Sequence, residues 1–316
     1  MSDAIDTWVR RYPDSPVLLD VLGTRDAAEI RARVRRLEPE LDEVFYFAAS
    51  VGAHFGVRRA DATRVALKIH TLFRDEAYFD DLQRLQAALA DAGFPAPRPL
   101  GRDGLITRED WLDAGVFRDA HEPEVRTAMA RELARFHVLA TATGVRPSRP
   151  FLRPEGALWP KPHNALFDFE ATRAGAEAID EVGRAARAVD DEVGEEVVGH
   201  CDWSVKHLRF DDGMAATALY DWDSVTVDLE PRVVGSAAAS FTYTEELDWP
   251  VVLWPSIEES LAFLADYEAA RGTAFSAAER SSAHASAVYL RAYAARCLHA
   301  VGRRDEGLAE YAEALL

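Results

Sequence analysis

Residues Val197–Ser224 read VVGHCDWSVKHLRFDDGMAATALYDWDS and concentrate charged and imidazole side chains in a short part of the chain. The apolar run before Gly199 indicates a strand, and the runs on either side of Asp211-Asp212-Gly213 indicate a hairpin. The reactive residues therefore fall on a loop and at strand ends, where a rigid scaffold can hold catalytic groups. They are His200, Asp202, Lys206, His207, Asp221 and Asp223.

Three kinds of site could use these residues. His200, Asp202 and His207 could ligate a transition metal, although no zinc-protease spacing is present. The same side chains could be structural and simply hydrogen-bond the loop. Phosphoryl transfer requires a carboxylate at the acceptor hydroxyl, an oxygen ligand for Mg²⁺ and a lysine at the phosphates. Asp202, Asp221 and Lys68 supply these three roles, which favours phosphoryl transfer.

Lysine content favours a specific role for Lys68. Only three lysines occur among the 36 basic residues, and Lys68 lies in VALKIH, an apolar run typical of a strand. A strand lysine often points to solvent, since side chains alternate between the two faces of a sheet. The scarcity of lysine favours a functional interpretation instead. The helix predicted from Phe73 to Ala92 could supply a carboxylate partner, and the candidates are Glu76, Asp80 and Asp81.

The wider pattern divides the chain into a short helical segment, a β-rich region and a mostly helical region. One helix is predicted from Asp26 to Leu37, with Thr24 as its cap, and three antiparallel strands are predicted between Glu43 and His70. A further short strand ends in a polar linker at Arg108–Asp113. The predicted boundaries are 1–40, 41–108 and 109–316. The helices predicted beyond the linker are Pro123–Ala140, 169–194, Ile257–Ala270, Ala277–Val301 and Asp305–Leu315.

Three further features have both a structural and a functional interpretation. The stretch GAHFG, from Gly52 to Gly56, could bring backbone N–H groups close to phosphates, or its glycines could simply form turns. His137 lies on the apolar side of its predicted helix, which is more typical of a core histidine than of a catalyst. The motif WPKPHN lies in a proline-rich connection and is either an ordered surface loop or a substrate-facing one.

Composition limits the classes of partner. With a formal net charge of −18, the chain lacks the basic surface that a nucleic-acid-binding protein needs, and a cationic small molecule is a better-matched ligand. The two cysteines are too few for a disulfide framework, and the N-terminal residues lack a signal-peptide pattern. No run approaches the roughly 18 apolar residues of a membrane span. A soluble cytoplasmic protein without a nucleic-acid or membrane partner is expected.

Together, three motifs resemble those of a known superfamily. HCDWSVKH followed by LYDWDS resembles the catalytic loop and the metal-binding Asp segment of the aminoglycoside phosphotransferase and choline kinase-like superfamily, and VALKIH resembles its lysine strand. The chain from about residue 43 to its end follows the family's lobe order. The resemblance implies an α+β, bilobal, protein-kinase-like fold with ATP between the lobes. Its smaller N-terminal lobe would hold an antiparallel sheet, and its larger C-terminal lobe would be mostly helical.

The resemblance also implies a role for each matching residue. Asp202 is expected to act as the catalytic base, with His200 supporting its loop, and Asp221 is expected to bind Mg²⁺. Lys68 is expected to contact the α- and β-phosphates of ATP and to pair with a carboxylate such as Glu76. The nucleotide would also contact Gly52, Gly56 and, through the backbone of the linker Arg108–Trp111, Glu109 and Trp111.

Two departures from the family pattern modify these expectations. His207 stands where the family has a metal-binding Asn, and imidazole is a poor ligand for Mg²⁺. His207 would then contact a phosphate or Asp202 while Asp223 shares the metal, or catalysis would be impaired. In the second departure, Glu230-Pro231 matches the family's Gly-Asp-Pro only loosely. The start of the helix that supports the catalytic loop is therefore expected to be arranged differently.

The sequence thus predicts an ATP- and Mg²⁺-dependent phosphotransferase. Its acceptor would be a hydroxyl of a small polar molecule that is aminoglycoside-, amino-alcohol- or sugar-like. One alternative is a kinase-like nucleotide-binding protein with weak or no catalysis because of His207. A metal-dependent hydrolase that uses His200, Asp202 and His207 is a further alternative. No signature identifies the acceptor, because the fold and the acceptor pocket are separable.

Overall fold

A five-stranded antiparallel sheet organises the first part of the chain in the computed structural model, which describes residues 4–71, 75–147, 153–164, 166–244 and 253–316. The strands lie in the order β1-β2-β3-β5-β4. The three antiparallel strands predicted between Glu43 and His70 are β1 to β3 and are confirmed. The strand bounds are Leu41–Ala49 (β1), Ala53–Arg59 (β2), Arg64–Ile69 (β3), Pro99–Asp103 (β4) and Ile106–Asp110 (β5).

Four helices accompany this sheet: Ala4–Arg11 (α1), Pro16–Leu22 (α2), Ala27–Leu37 (α3) and Glu76–Asp91 (α4). Only α3 and α4 were expected from the sequence, and the start of α4 predicted at Phe73 lies outside the described residues. The expected cap of α3 was wrong. Asp26, not Thr24, accepts the free N–H groups of Ala28 and Glu29, because a carboxylate at this position reaches two donors of the first turn.

The N-terminal helices share one hydrophobic core with the sheet. Ile5, Leu18 and Ile30 are buried in the same cluster as Phe55 and Leu67. Side chains alternate along a strand, so Leu67 faces this cluster while Lys68 lies on the opposite face of β3. Residues 1–40 therefore pack as part of the β-rich region and do not form a separate layer.

The chain divides into two compact units. The N-terminal unit comprises residues 1–87, 97–112 and 162–167, and the C-terminal unit comprises 88–96, 113–161 and 168–316. These limits differ from the predicted boundaries at residues 40 and 108. The predicted start of the polar linker at Arg108 also differs from the structure. β5 continues to Asp110, and each of its residues pairs with a residue of β3.

The C-terminal unit is mostly helical, with two short antiparallel strand pairs. The helices are Pro123–Ala142 (α5), Glu177–Val189 (α6), Glu230–Ser240 (α7), Ile257–Arg271 (α8), Ala277–Ala300 (α9) and Leu308–Leu315 (α10). The strands are Glu196–His200 (β6), which pairs with Val225–Leu229 (β9), and Leu208–Phe210 (β7), which pairs with Ala216–Leu219 (β8). The structure therefore has the α+β fold that the sequence predicts, with a small antiparallel-sheet part and a larger helical part.

The hairpin predicted at Asp211-Asp212-Gly213 joins β7 to β8. The backbone N–H of Asp211 donates to the carbonyl of Ala215 at 3.0 Å, and the Asp211 carboxylate accepts from the N–H groups of Gly213 and Ala215. The backbone N–H groups of Asp211, Gly213 and Ala215 therefore find their hydrogen-bond partners within the hairpin itself. Among the helices of the described ranges, none has both the length and the apolar content needed to cross a membrane.

Candidate active site

The strand pair β6–β9 brings the two reactive segments of the C-terminal unit together. β6 ends at His200, which pairs with Val225 at the start of β9, and the N–H of Cys201 donates to the carbonyl of Ser224 at 2.9 Å. On the other side, the N–H of Tyr220 donates to the carbonyl of His207 at 2.9 Å. The loop after β6 and the loop before β9 are thus tied to each other at both ends.

Asp202 lies at the centre of the loop that follows β6. Its carboxylate lies 3.0 Å from Lys206 Nζ and 3.1 Å from His207 Nε2, and the Ser204 hydroxyl donates to it at 3.1 Å. The carboxylate is still 35% exposed, so a small molecule can reach it. Asp202 is therefore a fixed and accessible hydrogen-bond acceptor.

Electrostatics keep Asp202 ionised. Burial alone would raise the pKa of this carboxyl, but the charges of Lys206 and His207 and their hydrogen bonds outweigh that effect and hold the pKa well below its ordinary value. For Lys206, burial opposes the charged form, yet the carboxylates of Asp202 and Asp221 raise its pKa. The pair consequently remains an ion pair across the neutral pH range.

Asp221 is held in a strained backbone conformation. Its φ of 58° and ψ of 46° place a non-glycine residue in the left-handed region, which costs free energy and is frequent at functional sites. Ser224 stabilises this turn, because its hydroxyl donates to the Asp221 carboxylate at 2.6 Å and its N–H donates to the Asp221 carbonyl at 3.0 Å. The turn fixes the direction of the carboxylate.

The carboxylates form a set that suits a divalent cation. Asp202, His207 and Asp221 each offer a ligand atom within 4.8 Å of the other two, and Asp221 and Asp223 offer carboxylate oxygens that are equally close to each other. Hard oxygen ligands of this kind match Mg²⁺, whereas an imidazole does not. The residues therefore fit a magnesium ion on Asp221 and Asp223, with His207 engaged by Asp202.

His200 supports the loop from the interior. It is fully buried, and burial, followed by the charge of His207, lowers its pKa, so the ring is neutral. Its Nε2 lies 3.3 Å from the carbonyl of Tyr220, which makes Nε2–H the donor and joins the two loops. Within the described ranges, the one metal-suited cluster that contains Asp202 and His207 includes Asp221 and not His200, which disfavours the hydrolase site.

Helix α7 contacts the loop at its C-terminal end, while its first residue, Glu230, bonds to α8. The N–H of Val205 donates to the carbonyl of Phe241, just beyond the end of α7, at 2.9 Å. At the other end, Glu230 begins the helix as a buried carboxylate. It accepts from the Tyr267 hydroxyl at 2.6 Å and pairs with Arg271 at 2.8 Å. A buried carboxylate, bonded to Tyr267 and to the half-buried Arg271, therefore fixes the start of this helix.

Lys68 belongs to a separate polar cluster in the N-terminal unit. Its Nζ lies 2.7 Å from Glu109 Oε1, and the Gln86 amide donates to Glu109 Oε2 at 2.7 Å. The partner is therefore a carboxylate on β5 and not one of the three helix candidates. Those candidates contact arginines: Glu76 and Asp80 pair with Arg102, and Asp81 pairs with Arg84.

The other residues expected at the nucleotide have defined positions in the sheet. Gly56 lies inside β2, where a Cβ would approach the Phe45 ring to 2.6 Å, and Gly52 precedes β2, where a Cβ would lie 2.7 Å from the Ile69 carbonyl. Both glycines are therefore required by close packing. The N–H of Trp111 donates to the carbonyl of Arg64 at 3.3 Å, and its ring packs edge-on against Phe45.

Three partners of the central residues could not be identified from the sequence. Lys206 appears among the reactive residues of the sequence without a partner, although its spacing of four from Asp202 is that of the ion pair in the structure. The link between Glu109 and Lys68 joins different strands, so no local spacing could reveal it. The role of Ser224 as a support for Asp221 likewise depends on the turn conformation.

Solved structures share this fold at low sequence identity. The amicoumacin kinase hAmiN in complex with AMP-PNP, Ca²⁺ and Ami has a TM-score of 0.63 at 12% identity, covering 91% of this chain and 95% of that one. The choline kinase of Cryptosporidium parvum Iowa II has a TM-score of 0.52 at 13% identity, covering 90% and 92%. The macrolide 2'-phosphotransferase MphH of Brachybacterium faecium has a TM-score of 0.51 at 17% identity, covering 91% and 97%.

A family model gives the assignment that these structures cannot give alone. No curated protein is detectably similar in sequence. The model of the phosphotransferase enzyme family, APH, matches residues 47–229, a span that is more than half of the chain and contains Lys68, Asp202 and Asp221. With its bilobal α+β fold of the kinase type, the chain belongs to the phosphotransferase enzyme family.

Proposed function

We propose that the protein transfers the γ-phosphate of ATP to a hydroxyl group of a small polar molecule. The observation that carries the proposal is the accessible Asp202 carboxylate, held at 3.0 Å by Lys206 and at 3.1 Å by His207, beside a second carboxylate on a strained turn. Phosphoryl transfer depends on positioning and on compensation of developing charge, and this cluster supplies both.

Asp202 would accept the hydrogen bond of the acceptor hydroxyl. Because its pKa is held well below the ordinary value, the carboxylate is a weak base and remains ionised at neutral pH. Its main contribution is therefore to orient the hydroxyl oxygen toward the phosphorus, and it would take the proton late in the transfer. The carboxylate needs no ionisation step before the acceptor binds.

Lys206 would supply fixed positive charge beside the transferring group. Its Nζ contacts Asp202 and lies 4.8 Å from the centre of the Tyr243 ring, which limits its movement. A positioned cation stabilises charge that develops in the transition state. His207, through its contact with Asp202, would hold the carboxylate in one orientation, which is a role that an Asn at this position could also perform.

Asp221 and Asp223 would hold Mg²⁺, which when bound neutralises phosphate charge. The fit is one of ligand chemistry, since both residues present carboxylate oxygens. Lys68 would contact the phosphates of the nucleotide. The amicoumacin kinase with the same fold is complexed with AMP-PNP and Ca²⁺, a nucleotide analogue and a divalent cation, and this supports the use of both by the present chain.

Structures with the same fold and the net charge of the chain support one acceptor class. Proteins with this fold include an amicoumacin kinase, a choline kinase and a macrolide 2'-phosphotransferase. The net charge of −18 favours an acceptor that carries an amine. We therefore infer a hydroxylated amine, such as an amino alcohol or an aminoglycoside, before a neutral sugar.

ADP release with a panel of hydroxylated amines, aminoglycosides and sugars tests the proposal. Asp202→Asn removes the charge at nearly constant volume, and we expect it to lower acceptor-stimulated ADP release by at least about 100-fold. The thermal shift caused by ATP and Mg²⁺ should persist. Asp212→Asn is the matched control, because the Asp212 side chain is fully exposed in the β7–β8 hairpin. Full turnover of Asp202→Asn would contradict the assignment.

A nucleotide-binding protein with weak catalysis is the second candidate. One observation favours it: His207 Nε2 lies 3.1 Å from Asp202 and 3.7 Å from Asp221, so an imidazole stands between the two carboxylates. On this alternative, ATP and Mg²⁺ stabilise the protein but no acceptor stimulates ADP release. His207→Asn would then increase slow ATP hydrolysis by about tenfold or more, whereas the leading proposal predicts no gain.

A further inference from the structure

The polar cluster around Lys68 lies inside the N-terminal unit and is buried. Lys68, Glu109 and Gln86 are 6%, 7% and 2% exposed, respectively. In the pairing of β3 with β5, Lys68 is opposite Thr107 and Ala66 is opposite Glu109. Because side chains two apart on a strand share a face, Lys68 and Glu109 emerge on the same face of the sheet. This geometry permits their contact of 2.7 Å.

Both oxygens of the Glu109 carboxylate are bonded. One contacts Lys68 Nζ, and the other accepts from the Gln86 amide of α4 at 2.7 Å. Next to this cluster, His70 Nε2 lies 2.9 Å from the Thr107 hydroxyl, and the His70 ring packs on Phe79 of α4. Glu109 is thus fixed between a strand and a helix.

The location of the negative charge is unusual for a kinase-like fold. In protein kinases, the carboxylate that pairs with the strand lysine comes from the helix. In this chain the helix supplies a neutral amide, Gln86, and the strand supplies the carboxylate. A second carboxylate at position 86 would contact Glu109. Because like charges repel at this distance, ionisation of both carboxylates would cost a large free energy. The amide and the carboxylate are therefore a complementary pair.

We infer that Glu109 is the residue that positions Lys68 for the nucleotide phosphates and that Gln86 of α4 fixes Glu109 in turn. The inference rests on the proposed function, in which Lys68 contacts ATP. Glu109 then acts through the lysine and not by holding adenine through its backbone, because its backbone lies in β5 between β3 and β4. Since Gln86 belongs to α4, a shift of this helix would change the position of the lysine.

Affinity for MgATP, measured by calorimetric titration of the full chain, tests this inference. We expect Lys68→Ala and Glu109→Gln each to weaken binding by about tenfold, the loss of one charge-assisted contact. The double variant Gln86→Glu/Glu109→Gln exchanges the two groups and keeps the charge of the cluster. It should recover affinity to within about threefold of the wild type, which a purely structural role of Glu109 does not predict.

Glu38→Gln is the matched control. Glu38 is another buried carboxylate of this unit, 3% exposed, and it pairs with Arg59 and Arg108. The substitution removes the charge of Glu38 and breaks an ion pair that does not include Lys68. The affinity for MgATP should therefore stay within about twofold of the wild-type value. If Glu109→Gln does not fold, Gln86→Met removes only the amide bond and should weaken binding by about threefold.

The outcomes separate this inference from the proposed function. Weaker binding in Lys68→Ala together with unchanged binding in Glu109→Gln would overturn the positioning role alone. A double variant that melts like the wild type but binds no better than Glu109→Gln would overturn it as well. A wild-type chain that does not bind MgATP, or that binds it equally well without Lys68, would overturn the proposed function and the positioning role together.

Discussion

The buried imidazole of His137 makes stability depend on pH. Burial, followed by the charge of Arg271, lowers its pKa from 6.5 to about 3. Its Nδ1 lies 2.8 Å from the Tyr267 oxygen, and that hydroxyl donates to Glu230. His137 must therefore donate through Nδ1–H, and the folded chain holds the neutral ring. The sequence-based interpretation of His137 as a core histidine agrees with this environment.

The sign of the pH effect follows from this lowered pKa. Between pH 6.5 and about 3 the unfolded chain binds a proton at His137 that the folded chain does not bind. The contribution of His137 to the free energy of unfolding is therefore fully present above pH 6.5 and is lost as the pH decreases through this range. From about pH 7.5 to about pH 5, this residue should lower the free energy of unfolding by about 2 kcal/mol. Urea denaturation at both pH values measures the loss.

His137→Gln is the control for this titration, since glutamine can still donate to Tyr267 but does not titrate. The variant should lose about 2 kcal/mol less than the wild type over the same pH interval. His200 is also buried with a lowered pKa, so part of the pH dependence should remain in the variant. Equal pH dependence of the two proteins would show that His137 does not contribute.

At the residue scale, local motifs indicated the groups that we propose to carry the chemistry but not the contacts that hold them in place. Asp202 and Asp221 could be recognised because each lies in a characteristic short motif. The contact between Lys68 and Glu109 depends on the register of β3 with β5, which no stretch of sequence contains. The support of Asp221 by Ser224 accompanies a left-handed backbone at Asp221, a conformation that is uncommon for a non-glycine residue and that the local sequence does not specify.

At the element scale, Gly235 determines how closely α7 packs against α9. A Cβ at this position would lie 1.9 Å from the carbonyl oxygen of Ala283, so no side chain fits without moving one helix. Because Phe241, just beyond the end of α7, accepts from the N–H of Val205 in the loop that follows β6, a displaced α7 would disturb Asp202. Gly235→Ala should therefore lower the free energy of unfolding by about 3 kcal/mol and reduce turnover, as measured by urea denaturation and ADP release.

Gly213→Ala is the matched control for this substitution. In the exposed hairpin, the nearest heavy atom to an added Cβ is the Asp211 carboxylate at 3.3 Å, and that side chain can move. The expected change is within about 0.5 kcal/mol. Comparable stability of the two variants would mean that α7 can move away from α9 at little cost.

Elements with strong periodicity were predictable, and those defined by packing were not. The strands β1 to β3 and the helix α5 follow from their apolar patterns. The helices α1 and α2 are short, and much of their stability comes from burial of residues such as Ile5 and Leu18 against the sheet. β5 was predicted to end early because Arg108–Asp110 is polar, yet Arg108 pairs with Glu38 and Glu109 with Lys68. Tertiary ion pairs thus allow a charged strand.

At the scale of the whole molecule, the shared core of the N-terminal unit predicts that residues 1–40 are essential for the sheet. Adjacent leucines of α2 provide a matched pair, since Leu18 is fully buried in the core and Leu19 is 48% exposed. Leu18→Ala should lower the free energy of unfolding by about 2–4 kcal/mol, whereas Leu19→Ala should change it by less than about 1 kcal/mol. Calorimetric melting measures both.

The same variants test whether this core supports Lys68, the residue that we propose to contact the nucleotide. Leu18 belongs to the cluster that contains Leu67 and Ile69, the neighbours of Lys68 on β3. Loss of packing there should loosen the strand, so Leu18→Ala should weaken MgATP binding more than Leu19→Ala when both are measured near the melting temperature of Leu18→Ala. If the N-terminal helices were an independent appendage, Leu18→Ala would leave the melting of the sheet and MgATP affinity unchanged, because the core around Leu67 would not depend on Leu18.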